Sequence, residues 1–343
     1  MQWLEQPHVK WAVPIPLLVL IAPIVWAFFR TTWRALDEEA FQYRRALHER
    51  GEVDYRPLVA LTLGALILLM QDYYGRGDAY AELIRPVLAR RTKAHPGGFI
   101  DVGLYDELYL RGWWAFTRVA GYVLPLVVWP LFFRKDSLLD FGLRPRGFRE
   151  HAWIYGLCVV VMVPMLLLVS RQGDFASYYP LYHQAGRSWL DFLVWEALYI
   201  AQFLTLEIFF RGWWIRATRV FGVGAIWSMI VPYAMIHIGK PYLEACGAMV
   251  AGVVLGSLSM RTRSIYAGFL VHVTVAILMD VVSLNHRDAL PTLLTPTSSR
   301  HITFLHWTAL IWIAWGLALA VLAHKMWTIQ RARRALVGAA PIK

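Results

Sequence analysis

The sequence predicts an all-α, polytopic transmembrane helical bundle of about eight to nine spans, and three observations carry that prediction. Of 343 residues, 58% are hydrophobic and only 17% charged, whereas charge makes up roughly a quarter of an ordinary soluble domain. The apolar residues come in blocks of roughly 17–21, the length a helix needs to cross the hydrocarbon core of a bilayer. The 17 Trp and 16 Tyr supply amphipathic rings that favour the membrane–water boundary.

The first apolar block, residues 11–29, is followed by Arg30-Thr31-Thr32-Trp33 and not by a small-residue cleavage site, so it reads as a retained helix. Residues 30–56 read as a charged amphipathic stretch and 57–74 as a second span. A long polar loop, 75–112, is broken by Pro96-Gly97-Gly98. Further spans are predicted at 113–133, 152–169, 189–218, 223–238, 244–260 and 264–282. A loop with Pro291 and Pro296 then covers 283–305, and 306–327 makes the ninth span. This divides the chain into an N-terminal membrane region, 1–150, with amphipathic and loop segments, a core at 151–285, and a C-terminal loop and last helix at 286–343.

The formal charge of +11 does not point to nucleic acid, because the basic residues sit mostly in short loops between apolar blocks. There they set orientation and meet lipid headgroups. With nine spans, 21 Lys and Arg fall on one side against 12 on the other, which predicts the N-terminus outside and the C-terminus inside. Cys158 and Cys246 both lie in apolar blocks and make no disulfide framework or metal motif.

Ionisable side chains inside a bilayer are costly, so each is a functional hypothesis. The first half offers Asp72 and Arg118, which read as snorkelling residues. The second half places Glu196, Glu207, Arg211, His237, Glu244, His272 and Asp280 in or beside four consecutive spans. Counting residues from the turns near Phe221 and Thr262 pairs six of these into layers at roughly 15, 22 and 27 Å from one face, at 1.5 Å per residue. The pairs are Arg211 with His272, Glu207 with His237, and Glu244 with Asp280. Gly268, His272, Ala276 and Asp280 share one helix face, and Glu244, Ala248, Gly252 and Gly256 form a matching stripe. The two stripes are expected to pair, with Gly252 near His272. Glu207 and Arg211 are spaced for a salt bridge, whereas Glu244 has no such partner in sequence. Carboxylates beside imidazoles, shielded from water, can activate a water and stabilise an oxyanion. The same set can serve a metal or a proton relay, although H-E-x-x-H is absent.

The segment Leu206-Glu207-Ile208-Phe209-Phe210-Arg211-Gly212 resembles the E-E-x-x-F-R-G motif of the CAAX protease and bacteriocin-processing intramembrane endopeptidases. Tyr233-Ala234-Met235-Ile236-His237 is similar to that family's F-x-x-x-H, and His272 to its last histidine motif. The resemblance implies a glutamic-type intramembrane endopeptidase in a bacterial inner membrane, acting on membrane-anchored protein or peptide substrates in the lipid bilayer. It also implies Glu207, His237 and His272 as catalytic residues. Arg211, Tyr233, Glu244 and Asp280 would support them, with Arg211 holding Glu207 and Asp280 orienting His272. No cofactor is expected, and a divalent metal is left open. The sequence departs from the family at Leu206, where the water-activating Glu usually stands, and at Ala276, where Asn is usual. Those departures keep two other readings in play: a catalytically inactive scaffold or chaperone of the same fold, and a proton-coupled transporter. The transporter predicts duplicated halves, and none is seen.

Overall fold

The computed structural model of the chain describes residues 12, 14–98, 100–144, 152–171 and 173–291. The predicted ninth span at 306–327 lies outside them, as do residues 325–343, which supply five of the 21 Lys and Arg counted on the inner side. The described residues form helices and turns, with no strand.

Helix α1 (Pro14–Glu49) runs unbroken for 36 residues, about 54 Å at 1.5 Å per residue. The predicted first span and the charged stretch after it are therefore one helix. In α2 (Arg56–Tyr74) a proline stands at the start, where its missing N–H would be unpaired anyway. The region read as a loop at 75–112 is instead largely helical. A turn at Gly77–Ala79, a π segment at Tyr80–Ile84 and α3 (Arg85–Ala94) lead back into α4 (Val102–Phe132). Polar composition misled because the charges are satisfied locally. Asp106 accepts hydrogen bonds from Tyr80 Oη at 2.7 Å and Arg85 Nε at 2.8 Å, which closes a polar helical hairpin. The carboxylate of Asp101 caps α4 by accepting from Leu104 N.

The second half comprises α5 (Ala152–Val169), α6 (Gly173–Tyr178), α7 (Trp189–Ala217), α8 (Gly224–Met235), α9 (Tyr242–Thr262) and α10 (Tyr266–His286). Ser188 caps α7 by accepting from Asp191 N. Six described helices, α1, α2, α4, α7, α9 and α10, are long and apolar enough to cross a membrane. Outward apolar side chains such as Ile24, Leu58, Val127 and Val231 are exposed, which fits a surface solvated by lipid.

The core is aromatic where α4 lies along α7. Tyr122, Trp129, Phe209, Phe210, Trp213 and Trp214 are buried together, with Trp129 and Trp213 edge to face at 5.8 Å. The chain after α4 wedges into the second half. A Cβ at Gly212 would lie 2.5 Å from the Phe141 carbonyl oxygen, so only glycine admits that approach. Ile265 N donates to the Gly142 carbonyl at 3.1 Å, and Tyr266 Oη donates to that of Leu143 at 2.9 Å. From α1, Trp33 Nε1 donates to Ser257 Oγ at 2.9 Å.

The two small-residue stripes do not face each other as expected. A Cβ at Gly252 would meet Ile230 and Tyr233 at 3.3 Å, and one at Gly256 would meet Ile226 and Met229 at 3.2 Å. That stripe of α9 thus receives the bulky side chains of α8. The stripe on α10 faces α7, since a Cβ at Gly268 would sit 3.1 Å from Glu207 Oε2. Small residues specify close approach but not the partner.

Candidate active site

Glu207 ends the α-helical part of α7, and Ile208–Trp214 continue it as a π-helical segment, an irregularity frequent at functional sites. Arg211 Nη1 donates to Glu207 Oε1 at 2.9 Å, and both side chains are 0% exposed. Away from water, an ion pair needs further stabilisation. Part of it comes from Tyr233, whose ring centroid lies 4.0 Å from the Arg211 guanidinium.

The same Oε1 lies 2.9 Å from His272 Nδ1. A carboxylate paired with a guanidinium only accepts, so Nδ1 carries the hydrogen, and whenever the ring is neutral Nε2 is a lone-pair acceptor. The ring of Phe203 packs against the imidazole with centroids 4.3 Å apart. Glu207 Oε2 is buried without a hydrogen-bond partner.

His237 joins the site differently from the predicted layering, because no direct hydrogen bond links it to Glu207. Helix α8 has only 12 residues and ends at Met235, so His237 lies in the turn beyond it. Its Nδ1 donates to the Tyr233 carbonyl at 2.7 Å, and its ring packs 4.7 Å from that of Tyr233. A carbonyl only accepts, so here too Nδ1 carries the hydrogen, and Nε2 is an acceptor whenever the ring is neutral. Tyr233 thereby touches both Arg211 and His237, and Glu207 meets His272 instead.

Two further expectations need correction. Glu244 is not unpartnered: Lys240 Nζ donates to Oε1 at 2.7 Å, and Tyr179 Oη donates to Oε2 at 2.6 Å. Burial, with the Glu244 charge and neighbouring tyrosines, pushes the Tyr179 phenol well above its ordinary range, so it stays a donor. Lys240, four residues before Glu244, was legible in the sequence. Tyr179, 65 residues away, was not. Asp280 does not orient His272 either, since Glu207 does so. Asp280 Oδ2 accepts from Trp195 Nε1 at 2.6 Å, and two helical turns, about 12 Å, separate it from His272.

Among the described residues, no group of three or more His, Cys, Asp or Glu side chains is arranged to hold a metal ion. The arrangement offers a carboxyl group behind an imidazole, with a second imidazole held by Tyr233.

No solved structure matches the chain. A phosphatidylglycerol–prolipoprotein diacylglyceryl transferase of Streptococcus sanguinis (strain SK36) is 24% identical over 171 residues, which cover 43% of this chain and 66% of that protein, just under two thirds of its length. The family model described as Type II CAAX prenyl endopeptidase Rce1-like matches residues 188–278, from the cap of α7 to within α10. That stretch contains Glu207, Arg211, Tyr233, His237, Glu244 and His272. The resemblance read from those residues is thus the one the family model finds, and it is residues 188–278 that match the Rce1-like model of the CAAX endopeptidase type.

Proposed function

We propose that this protein is an intramembrane glutamic-type endopeptidase that hydrolyses membrane-anchored protein substrates through a Glu207–His272 dyad. The observation that carries the reading is the shared Oε1 of Glu207, which accepts from both Arg211 and His272 in the buried interior. A carboxylate behind an imidazole fixes its tautomer and stabilises the imidazolium that forms when Nε2 takes a proton. In the proposed step, His272 Nε2 accepts a proton from a water, and the hydroxide adds to the scissile carbonyl carbon. The C–N bond then breaks as the proton passes to the leaving amine. Glu207 supplies the charge on which this depends, which makes Leu206 tolerable at the preceding position. His237, whose Nδ1 is taken up by the Tyr233 carbonyl, offers Nε2 as a second proton acceptor from the α8–α9 turn. Its role as an oxyanion donor would require that it first be protonated.

The test follows cleavage, in membranes, of reporters fused to a panel of C-terminal transmembrane segments, alongside a farnesylated CAAX peptide. Wild type is expected to cleave at least one of them and Glu207→Gln to leave it intact at equal protein level. Cleavage unaffected by Glu207→Gln and by His272→Ala would overturn the dyad. A second reading, the catalytically inactive scaffold, rests on Leu206 in place of the usual acid. It expects no cleavage by wild type, with a partner protein still stabilised by its presence.

A further inference from the structure

The glycines of α7 to α10 make room for different neighbours. A Cβ at Gly252 or Gly256 would meet apolar side chains of α8, and one at Gly212 would meet the Phe141 carbonyl. Gly268, in the first turn of α10, meets an acid instead. A Cβ there would lie 3.1 Å from Oε2 of Glu207 and 3.9 Å from its carboxyl carbon. The shorter of these distances is tighter than ordinary van der Waals contact, so a methyl group at position 268 obliges something to move.

Whichever part moves, the consequence is the same. The Glu207 carboxylate is not a free end, because Oε1 accepts from Arg211 Nη1 and faces His272 Nδ1, both at 2.9 Å. Oε2, the oxygen beside Gly268, is buried with no hydrogen-bond partner. The carboxylate is planar and rigid, so swinging Oε2 away from position 268 carries Oε1 with it. Retreat of α10 lengthens the same contact from the other side, since His272 stands four residues beyond Gly268 on one helix face. Phe203, packed 4.3 Å from the imidazole between ring centroids, limits how far the ring can follow. Glycine is also a poor helix residue, so helix propensity alone would favour alanine here.

We propose that Gly268 is a positioning residue of the Glu207–His272 dyad: its missing side chain sets the approach of α10 to α7 at which Oε1 reaches Nδ1. The effect on cleavage rests on the peptidase reading. The control of the Glu207–His272 contact by position 268 does not, and it can be read without any substrate.

The test uses the full-length protein in nanodiscs, comparing wild type with Gly268→Ala and Gly268→Val. Gly247→Ala is the control, since an added Cβ at that glycine of α9 meets nothing within 4 Å. Nitrogen NMR of isotope-labelled histidine, at mildly alkaline pH, reads the tautomer, and loss of a signal in His272→Asn identifies His272. Wild type and Gly247→Ala are expected to carry the hydrogen on Nδ1. Gly268→Ala should shift the population toward Nε2–H and Gly268→Val should shift it further, while Gly268→Ala melts no lower than wild type. On a cleaved reporter, kcat should fall about tenfold for Gly268→Ala and about 10²-fold for Gly268→Val, the scale of a misplacement of about 1 Å. KM should not change, nor should the rate of Gly247→Ala. An unchanged His272 tautomer in Gly268→Ala would overturn the proposal, and so would wild-type cleavage rates in both Gly268 variants. A tautomer that responds, in a protein that cleaves no reporter, would sink the peptidase reading and leave the positioning role standing. If Gly268→Val does not fold, Gly268→Ala alone decides the matter.

Discussion

The two halves of this bundle handle charge in opposite ways. In the first, ion pairs sit at helix ends within reach of water. Arg56, at the start of α2, forks onto Asp136 at 2.7 and 2.8 Å, and Arg76 meets Asp72 at 2.6 Å with both side chains more than half exposed. In the second, Glu207, Arg211 and Asp280 are fully buried. A pair at a helix end holds the helix in place and contributes little. A pair in the interior is expensive to assemble and worse to break, so its retention points to chemistry. Function in a membrane chain is to be sought at charges that could have stood at an interface and do not.

Four experiments test that contrast. The largest expected effect is on turnover. Glu207→Gln should lower substrate cleavage by about 10²-fold or more, the usual loss when a positioned acid or base is removed, whereas Asp136→Asn should leave the rate unchanged. Comparable rates for the two variants would erase the distinction. The next effect is on stability. Arg211→Ala strands Glu207 in the interior and should destabilise by about 3–5 kcal/mol, against about 1 kcal/mol or less for Arg56→Ala, as read from denaturation in detergent. Third, Gly212→Ala forces a methyl group against the Phe141 carbonyl and should cost about 1–3 kcal/mol. A variant that melts with wild type would mean that the loop is free to move aside.

The smallest effect is on pH dependence. Hydrogen bonds from Arg56, opposed in part by burial, hold the Asp136 carboxyl below the ordinary range. A carboxyl so depressed adds stability above its unfolded value, near pH 4, and that stability is lost as the pH falls through the folded value. Acid melting curves of wild type and Asp136→Asn should therefore converge below about pH 4 and differ slightly above it.

Much of the fold was legible because apolar length alone decides whether a segment can span a bilayer. Two features were not. The polar segment 75–112 folds as helices because Asp106 gathers Tyr80 and Arg85, a contact that composition does not reveal. The unbroken length of α1 was hidden because charged residues begin at Arg30 while the helix runs on to Glu49. At the site, Glu207 and Arg211 were readable from their spacing on one helix. Counting residues from the turns placed His272 a layer away from Glu207, because it assumed regular helices. The π segment at Ile208–Trp214 and the early end of α8 both break that assumption. The stripe on α10 was correctly seen as a single face. Which helix it faces was settled by the large side chains that had to fit, those of α7.

The wedge formed by residues 141–143 has a consequence for how such a protein can evolve. The stretch that resembles the endopeptidase family begins at Ser188, yet Gly212, Ile265 and Tyr266 within it are built around backbone carbonyls that come from before it. Sequence similarity thus marks a border that the packing does not respect. A graft of 188–278 onto another membrane scaffold would arrive with an empty notch beside Gly212 and an unpaired amide at Ile265. Only recombination that carries the end of α4 and the following turn along with it would transfer the domain intact.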